Sequence, residues 1–196
     1  SAYKNNYYLP IAYLVDSETA DWGTESYMDN WKLEHASDPF VLQGDYFDKA
    51  TGVGNPFERL NISYVTYSNC SPFSEDLTAS SFYYEKTTAD VDGNATFYIN
   101  AEKDGNIYIS FNVSGSSSGN ISITSSKGTW THSADQPCIL DLGAYKKNES
   151  VQVTIPFEAN SGNVTLLAYT INEKTFKKGY DKLYEDQLLI EEFDDR

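Results

Sequence analysis

The feature that most constrains this chain is an apolar alternation of period two, running from about residue 61 onward. In "IYISFNV", Ile107, Ile109, Phe111 and Val113 fall on one side and Tyr108, Ser110 and Asn112 on the other. "VQVTIPF" repeats the pattern with Val151, Val153, Ile155 and Phe157, and "ATFYIN", "NISIT" and "CILDLG" are shorter versions. Successive side chains of a strand point to opposite faces, so each segment reads as a half-buried strand. Between them stand "EKDGN", "SGSSSGN", "YKKNES" and "ANSGN", all rich in turn formers. The Ser/Gly run 114–119 reads as a hairpin loop. Short strands at this spacing predict a mainly β fold, an antiparallel β-sandwich of jelly-roll type. "VTLLAYTI" (164–171) is apolar on both faces, which places it centrally in a sheet or under a helix.

Two segments carry helical signals. In "DPFVLQGDYFDKATG" (38–52), Asp38 is a candidate N-cap, Pro39 takes the first helical position and Gly52 is a natural stop. Phe40, Val41 and Phe47 would share its inner face. Near the other end Asn172 is a candidate N-cap, and Phe176, Tyr180, Leu183 and Tyr184 fall on one helical face while four lysines face elsewhere. Gly179 weakens that helix by about 1 kcal/mol relative to Ala. This amphipathic helix (173–184) is expected to pack across the sandwich, with a further strand at 187–193. The organisation predicted is a mixed α/β portion over 1–60, including a strand in "YYLPIAYLVDS", packed on a sandwich over 61–196 as one domain. A domain that finishes with a strand reads as part of something longer.

The 196 residues are 40 % hydrophobic and 15 % aromatic, enough for a sizeable core. No apolar run approaches the ~20 residues needed to span a bilayer. The balance of 29 acidic against 14 basic residues gives a net charge of −15. That excludes nucleic acid as a partner, whose affinity comes from Lys and Arg neutralising phosphates, and an anionic membrane surface would repel the chain as a whole.

The search for reactive chemistry returns no catalytic residue, no metal set and no cofactor motif. "ADVDGNAT" (89–96) places Asp90, Asp92 and Asn94 at alternating positions, but Gly93 comes too early for an EF-hand and Ala101 stands where the bidentate Glu belongs. A turn with φ > 0 at Asp-Gly-Asn is the expectation there. "THSAD" (131–135) is no triad, because neighbours on a strand face apart. Acidic "EEFDD" (191–195) fits a protected strand edge. His35 and His132 are too few for a zinc site, and Cys70 and Cys138 are either a disulfide or two buried thiols. Seven N-x-S/T sequons (Asn61, Asn69, Asn94, Asn112, Asn120, Asn148, Asn163) matter only in a eukaryotic secretory pathway. Trp130, Trp22 and Trp31 are the candidate glycan-binding residues, since an exposed flat ring stacks on a sugar; the competing role for each is core packing.

Two stretches resemble the YfhO family of bacterial polytopic membrane proteins. Tyr169, Phe176, Tyr180, Leu183, Leu188, Ile190, Phe193 and Asp194 are similar to the strand–helix–strand signature of that family's outer domain. "LPIAY" (9–13) and "DPFVLQGDYFDKATG" (38–52) are similar to its two N-terminal segments, with Ala12 where Gly is usual and Asp38 and Gly44 where Asn is usual. The resemblance implies an extracytoplasmic domain of a bacterial membrane protein, with a glycosyltransferase parent that decorates teichoic acids or other envelope polymers. It implies that residue 196 is internal to the parent, and that catalysis lies elsewhere in it. The implied partners are the membrane-embedded remainder and an envelope glycan. A free-standing carbohydrate-binding module is the first alternative and predicts an exposed aromatic platform on one sheet. A structural or interaction domain without a glycan ligand is the second and predicts an exposed apolar patch.

Overall fold

The computed structural model describes residues 38–72, 76–113, 120–133 and 138–186, together with residues 15 and 19. The expected strands in 7–17, residue 15 apart, and in 187–193, with Trp22, Trp31 and the segment "LPIAY", lie outside the described residues. The chain divides into two compact units, Arg59–Thr170 and, together, Ser1–Glu58 with Ile171–Arg196.

The described strands are β1 (Phe57–Arg59), β2 (Ile62–Ser68), β3 (Cys70–Pro72), β4 (Ser81–Lys86), β5 (Gly93–Asn100), β6 (Gly105–Val113), β7 (Asn120–Ser125), β8 (Gly128–Ser133), β9 (Cys138–Tyr145), β10 (Ser150–Phe157) and β11 (Ser161–Ile171). One sheet runs β3-β4-β11-β6-β9 with β1 beside β11, and the other runs β2-β5-β10-β7-β8. Taken from β4 onward, β4-β11-β6-β9 faces β5-β10-β7-β8. That alternation between sheets is the two-Greek-key order of a jelly roll, as the spacing of the strands predicts.

The inner faces are filled by the residues the alternation picks out. Phe97, Ile99, Ile121, Ile123, Val151, Val153, Ile155 and Phe157 come from one sheet, all fully buried. Ile107, Ile109, Phe111, Val164, Leu166 and Tyr84 come from the other and join them in one cluster. Tyr84 lies flat on Phe157, ring centroids 4.0 Å apart. β11 sits between β4 and β6, and its two faces (Leu166 and Ala168 on one, Leu167 and Tyr169 on the other) are all buried, which explains its unbroken apolar run.

Two loop expectations are corrected. β6 and β7 lie in different sheets and so form no hairpin with each other; the run 114–119 itself lies outside the described residues. The turn before β5 does not use a positive φ at Gly93. The left-handed residue is Asn69 (φ 49), the single residue between β2 in one sheet and β3 in the other. Its side chain reaches the neighbouring crossover: Nδ2 donates to the carbonyls of Thr88 and Val91 at 2.9 and 2.6 Å, and Oδ1 accepts from Thr88 N at 2.9 Å and Thr87 Oγ1 at 2.7 Å. Gly93 is required for closeness, since a Cβ there would stand 3.1 Å from the Asn69 carbonyl oxygen.

The same topology separates the cysteines. β3 and β9 are opposite ends of a five-strand path, so Cys70 and Cys138 are four strand spacings apart, about 19 Å, against the ~7 Å limit between Cα atoms of a disulfide. Cys70 is a buried free thiol. Burial pushes its pKa up, opposed by a backbone hydrogen bond at Ser68, so it is a packing residue and a poor nucleophile.

In the other unit, α1 (Pro39–Thr51) begins where the sequence signals it. Asp38 accepts from the amides of Phe40 and Val41 at 3.1 and 3.3 Å, and Gly52 ends the helix with φ 63. α2 (Glu173–Glu185) begins at Asn172, whose Oδ1 accepts from Thr175 N at 3.1 Å. Sequence pattern points α2 toward the sandwich; the packing found within its unit is against α1. Phe47 and Phe176 stack with centroids 5.9 Å apart, and Lys182 Nζ donates to the Thr51 carbonyl at 2.7 Å. Gly179 lets the helices meet, for a Cβ there would collide with the Phe47 ring and touch Val53. The helix cost of this glycine is offset by close packing.

Candidate functional site

The outer face of sheet β2-β5-β10-β7-β8 carries an arrangement with no counterpart in the core. Strand register aligns Tyr64 with Tyr98, then Gln152, Thr124 and Thr129. The next row is Thr66, Thr96, Thr154, Ser122 and Thr131. None of these ten positions is charged, although 22 % of the chain is. The hydroxyls of Thr96 and Thr154 lie 2.9 Å apart, and those of Thr124 and Thr129 3.1 Å, so the face is a grid of fixed donors and acceptors. At its margin Tyr64 and Tyr98 stack with centroids 4.0 Å apart and planes at 14°. Tyr64 remains 45 % exposed, a large ring left on the surface. Partial desolvation against its neighbour, then the charge and hydrogen bond of Tyr98, push its phenol above the usual value.

A bulge makes this pairing. In β2 the register shifts between Ile62 and Tyr64, so Ile62 faces Ile99 and Tyr64 faces Tyr98, with Ser63 left out of the ladder. Strict alternation from Ile62 would turn Tyr64 inward. The extra residue turns it outward, as bulges do where a side chain must be re-aimed.

Trp130, the described member of the tryptophan set, sits elsewhere. Its register partner in β7 is the fully buried Ile123, so it occupies an inward position on an edge strand, half-buried and packed against the core. Structure brings together Tyr64, Tyr98, Gln152 and Thr154, which sequence reasoning does not single out. Tyr98 is foreshadowed by its outward place in "ATFYIN"; Tyr64 carries no such signal.

The helical unit offers an apolar groove of about 470 Å³ lined by Leu42, Gln43, Tyr46, Phe47, Pro56, Phe57 and Phe176. Asn172 closes its unit by donating from the amide N to the Pro56 carbonyl at 2.7 Å and from Nδ2 to Glu58 at 2.6 Å. Among the described residues, no three of His, Cys, Asp or Glu are grouped to hold a metal ion, and no helix is long and apolar enough to cross a membrane.

Fold and surface together define a jelly-roll sandwich with an uncharged, aromatic-edged sheet face. The chain belongs to the family described as bacterial membrane protein YfhO, whose model matches residues 1–196. None of the curated proteins matches it. Among solved structures it is similar to a family 35 carbohydrate-binding module from Clostridium thermocellum, with 14 % identity, 58 % of this chain and 96 % of that one covered and a TM-score of 0.36. It is also similar to the C-terminal family 6 module of LamC, a marine laminarinase from Zobellia galactanivorans, with 10 % identity, 58 % and 98 % covered and a TM-score of 0.34.

Proposed function

We propose that this chain is the extracytoplasmic, non-catalytic part of a YfhO-family membrane glycosyltransferase, and that it holds an envelope glycan, such as a glycosylated teichoic acid, against the outer face of its second sheet. The observation that carries the reading is the Tyr64–Tyr98 stack beside a grid of hydroxyls and an amide. A pyranose presents an apolar C–H face and a rim of hydroxyls, so it needs an aromatic ring and neutral hydrogen-bonding groups side by side. The absence of charge over both rows suits sugar hydroxyls and leaves phosphate groups to be met elsewhere. Membrane anchorage is assigned to the parent protein on the strength of the family.

The test is calorimetric titration of this chain with neutral oligosaccharides and with glycerol-phosphate oligomers. Binding of an oligosaccharide should weaken by about tenfold or more in Tyr98→Ala, the usual loss for a central aromatic anchor. Trp130→Ala should retain binding while losing stability. Saccharide binding that survives Tyr98→Ala, or is lost only in Trp130→Ala, removes this face as the site.

A further inference from the structure

The helical unit carries a second groove, of about 510 Å³, lined by Val53, the lysines 174, 177, 178 and 182, and the acids Asp181 and Glu185. Four of the chain's 14 basic residues therefore fall within nine positions of one helix, in a protein of net charge −15. Lys182 is committed to the Thr51 carbonyl, and Lys177 lies 2.5 Å from Asp181. Lys174 and Lys178, one turn apart on the same side of α2, have no hydrogen-bond or ion-pair partner among the described residues. Two unpaired cations beside an open groove, in so acidic a chain, call for an anionic partner.

We propose that this lysine-lined groove docks the helical unit on anionic phospholipid headgroups. The family is one of membrane proteins, which puts a charged lipid surface within reach of the chain, and the groove is positive where the rest of the sequence is negative. Charges farther than the ~8 Å screening length at physiological salt contribute little, so local sign decides contact. Each lysine near such a surface strengthens binding by about fivefold. This inference rests on the family and the charge pattern and is independent of the glycan face.

The experiment is flotation of the chain with vesicles of phosphatidylglycerol and phosphatidylcholine, with phosphatidylcholine vesicles and soluble inorganic polyphosphate as separate arms. Binding is expected to the anionic vesicles, to fall with added salt and to weaken by about twentyfold or more in the Lys174→Glu/Lys178→Glu double variant. The Tyr98→Ala variant should float as the parent chain does. Should the glutamates impair folding, Lys174→Gln/Lys178→Gln is read in their place. Absence of binding, equal binding to the uncharged vesicles, or a double variant that floats unchanged overturns the proposal. So does binding of polyphosphate with no binding of vesicles, which would assign the groove to a soluble phosphate polymer.

Discussion

Tyr64 and Tyr98 stack at 4.0 Å because Ser63 stands outside the β2–β5 ladder. The two rings meet because the ladder skips Ser63, not through any contact that Ser63 makes. Deleting Ser63 makes Ile62 and Tyr64 neighbours in strict alternation, so the deletion should keep Tyr64 outward and the stack intact. Exchanging the two residues, Ser63→Tyr with Tyr64→Ser, should place the ring in the bulge and lose the stack. Residue-resolved NMR titration distinguishes them: the phenol of the tyrosine after Ile62 stays raised by its partner in the first variant, as Tyr64 is in the parent chain, and loses that shift in the second, while Tyr67, Tyr84 and Tyr108 stay raised by burial in both. A deletion that loses the raised phenol would show that the bulge itself holds the rings together.

Asn69 holds two crossovers at once, turning the chain from one sheet to the other while bonding the loop after β4. Asn69→Gly keeps the left-handed backbone accessible and loses only the side-chain bonds, whereas Asn69→Ala also carries the αL penalty of about 1 kcal/mol. With exposed bonds contributing modestly each, Asn69→Gly should cost about 1–2 kcal/mol and Asn69→Ala about 1 kcal/mol more in urea unfolding. Equal losses would mean that the backbone conformation contributes nothing.

How far the sequence discloses this molecule differs element by element. Both helix starts are legible because a cap is a local device: Asp38-Pro39 and Asn172 need only the amides that follow them. The sandwich is legible because alternation reports burial directly, strand by strand. Sheet membership is not, since the Ser/Gly run 114–119 gives no sign of whether it turns back or crosses over. The Tyr64–Tyr98 face is hidden for a sharper reason. Period-two reading assumes a regular ladder, and Tyr64 faces outward through a break in it. Trp130 shows the converse: polar neighbours in "GTWTH" suggest exposure, but pairing with Ile123 places the indole on the core side. The role of Asn69 is equally non-local, because its bonds reach residues 18–22 positions away.

The turn at 146–149 carries a pH signature. Asp104 accepts from Lys146 Nζ at 2.8 Å and from Lys147 N at 2.9 Å. The Lys146 hydrogen bond first, then the Lys147 amide, hold its carboxyl below the ordinary range. A carboxyl lowered in the folded state stabilises above its unfolded pKa, about 4, and loses that contribution as pH falls through the lower folded value. Asp104→Asn should therefore melt below the parent chain at neutral pH, with the gap closing beneath about pH 4. Both groups of the ion pair are well exposed, so the neutral-pH gap should also shrink with salt. A gap independent of pH would mean that the charge of the Asp104 carboxylate does not account for it.

Gly179→Ala sets two effects of known sign against each other. Alanine in a helix interior is favoured over glycine by about 1 kcal/mol, so an isolated α2 would gain. In the folded unit the new methyl meets the Phe47 ring and Val53, and overpacking of a fitted contact costs about 1–3 kcal/mol. Collision should win, because Phe47 is itself held by its stack on Phe176 and the methyl points into the ring instead of past it. Gly179→Ala should thus melt lower than the parent chain, and Phe47→Leu should recover part of the loss when combined with it, although Phe47→Leu alone destabilises. Thermal melts of the four species form a double-mutant cycle whose coupling term reports the contact itself. Additive losses would mean that the helices do not meet at Gly179 in solution, and a stabilised Gly179→Ala would mean that helix propensity outweighs the packing.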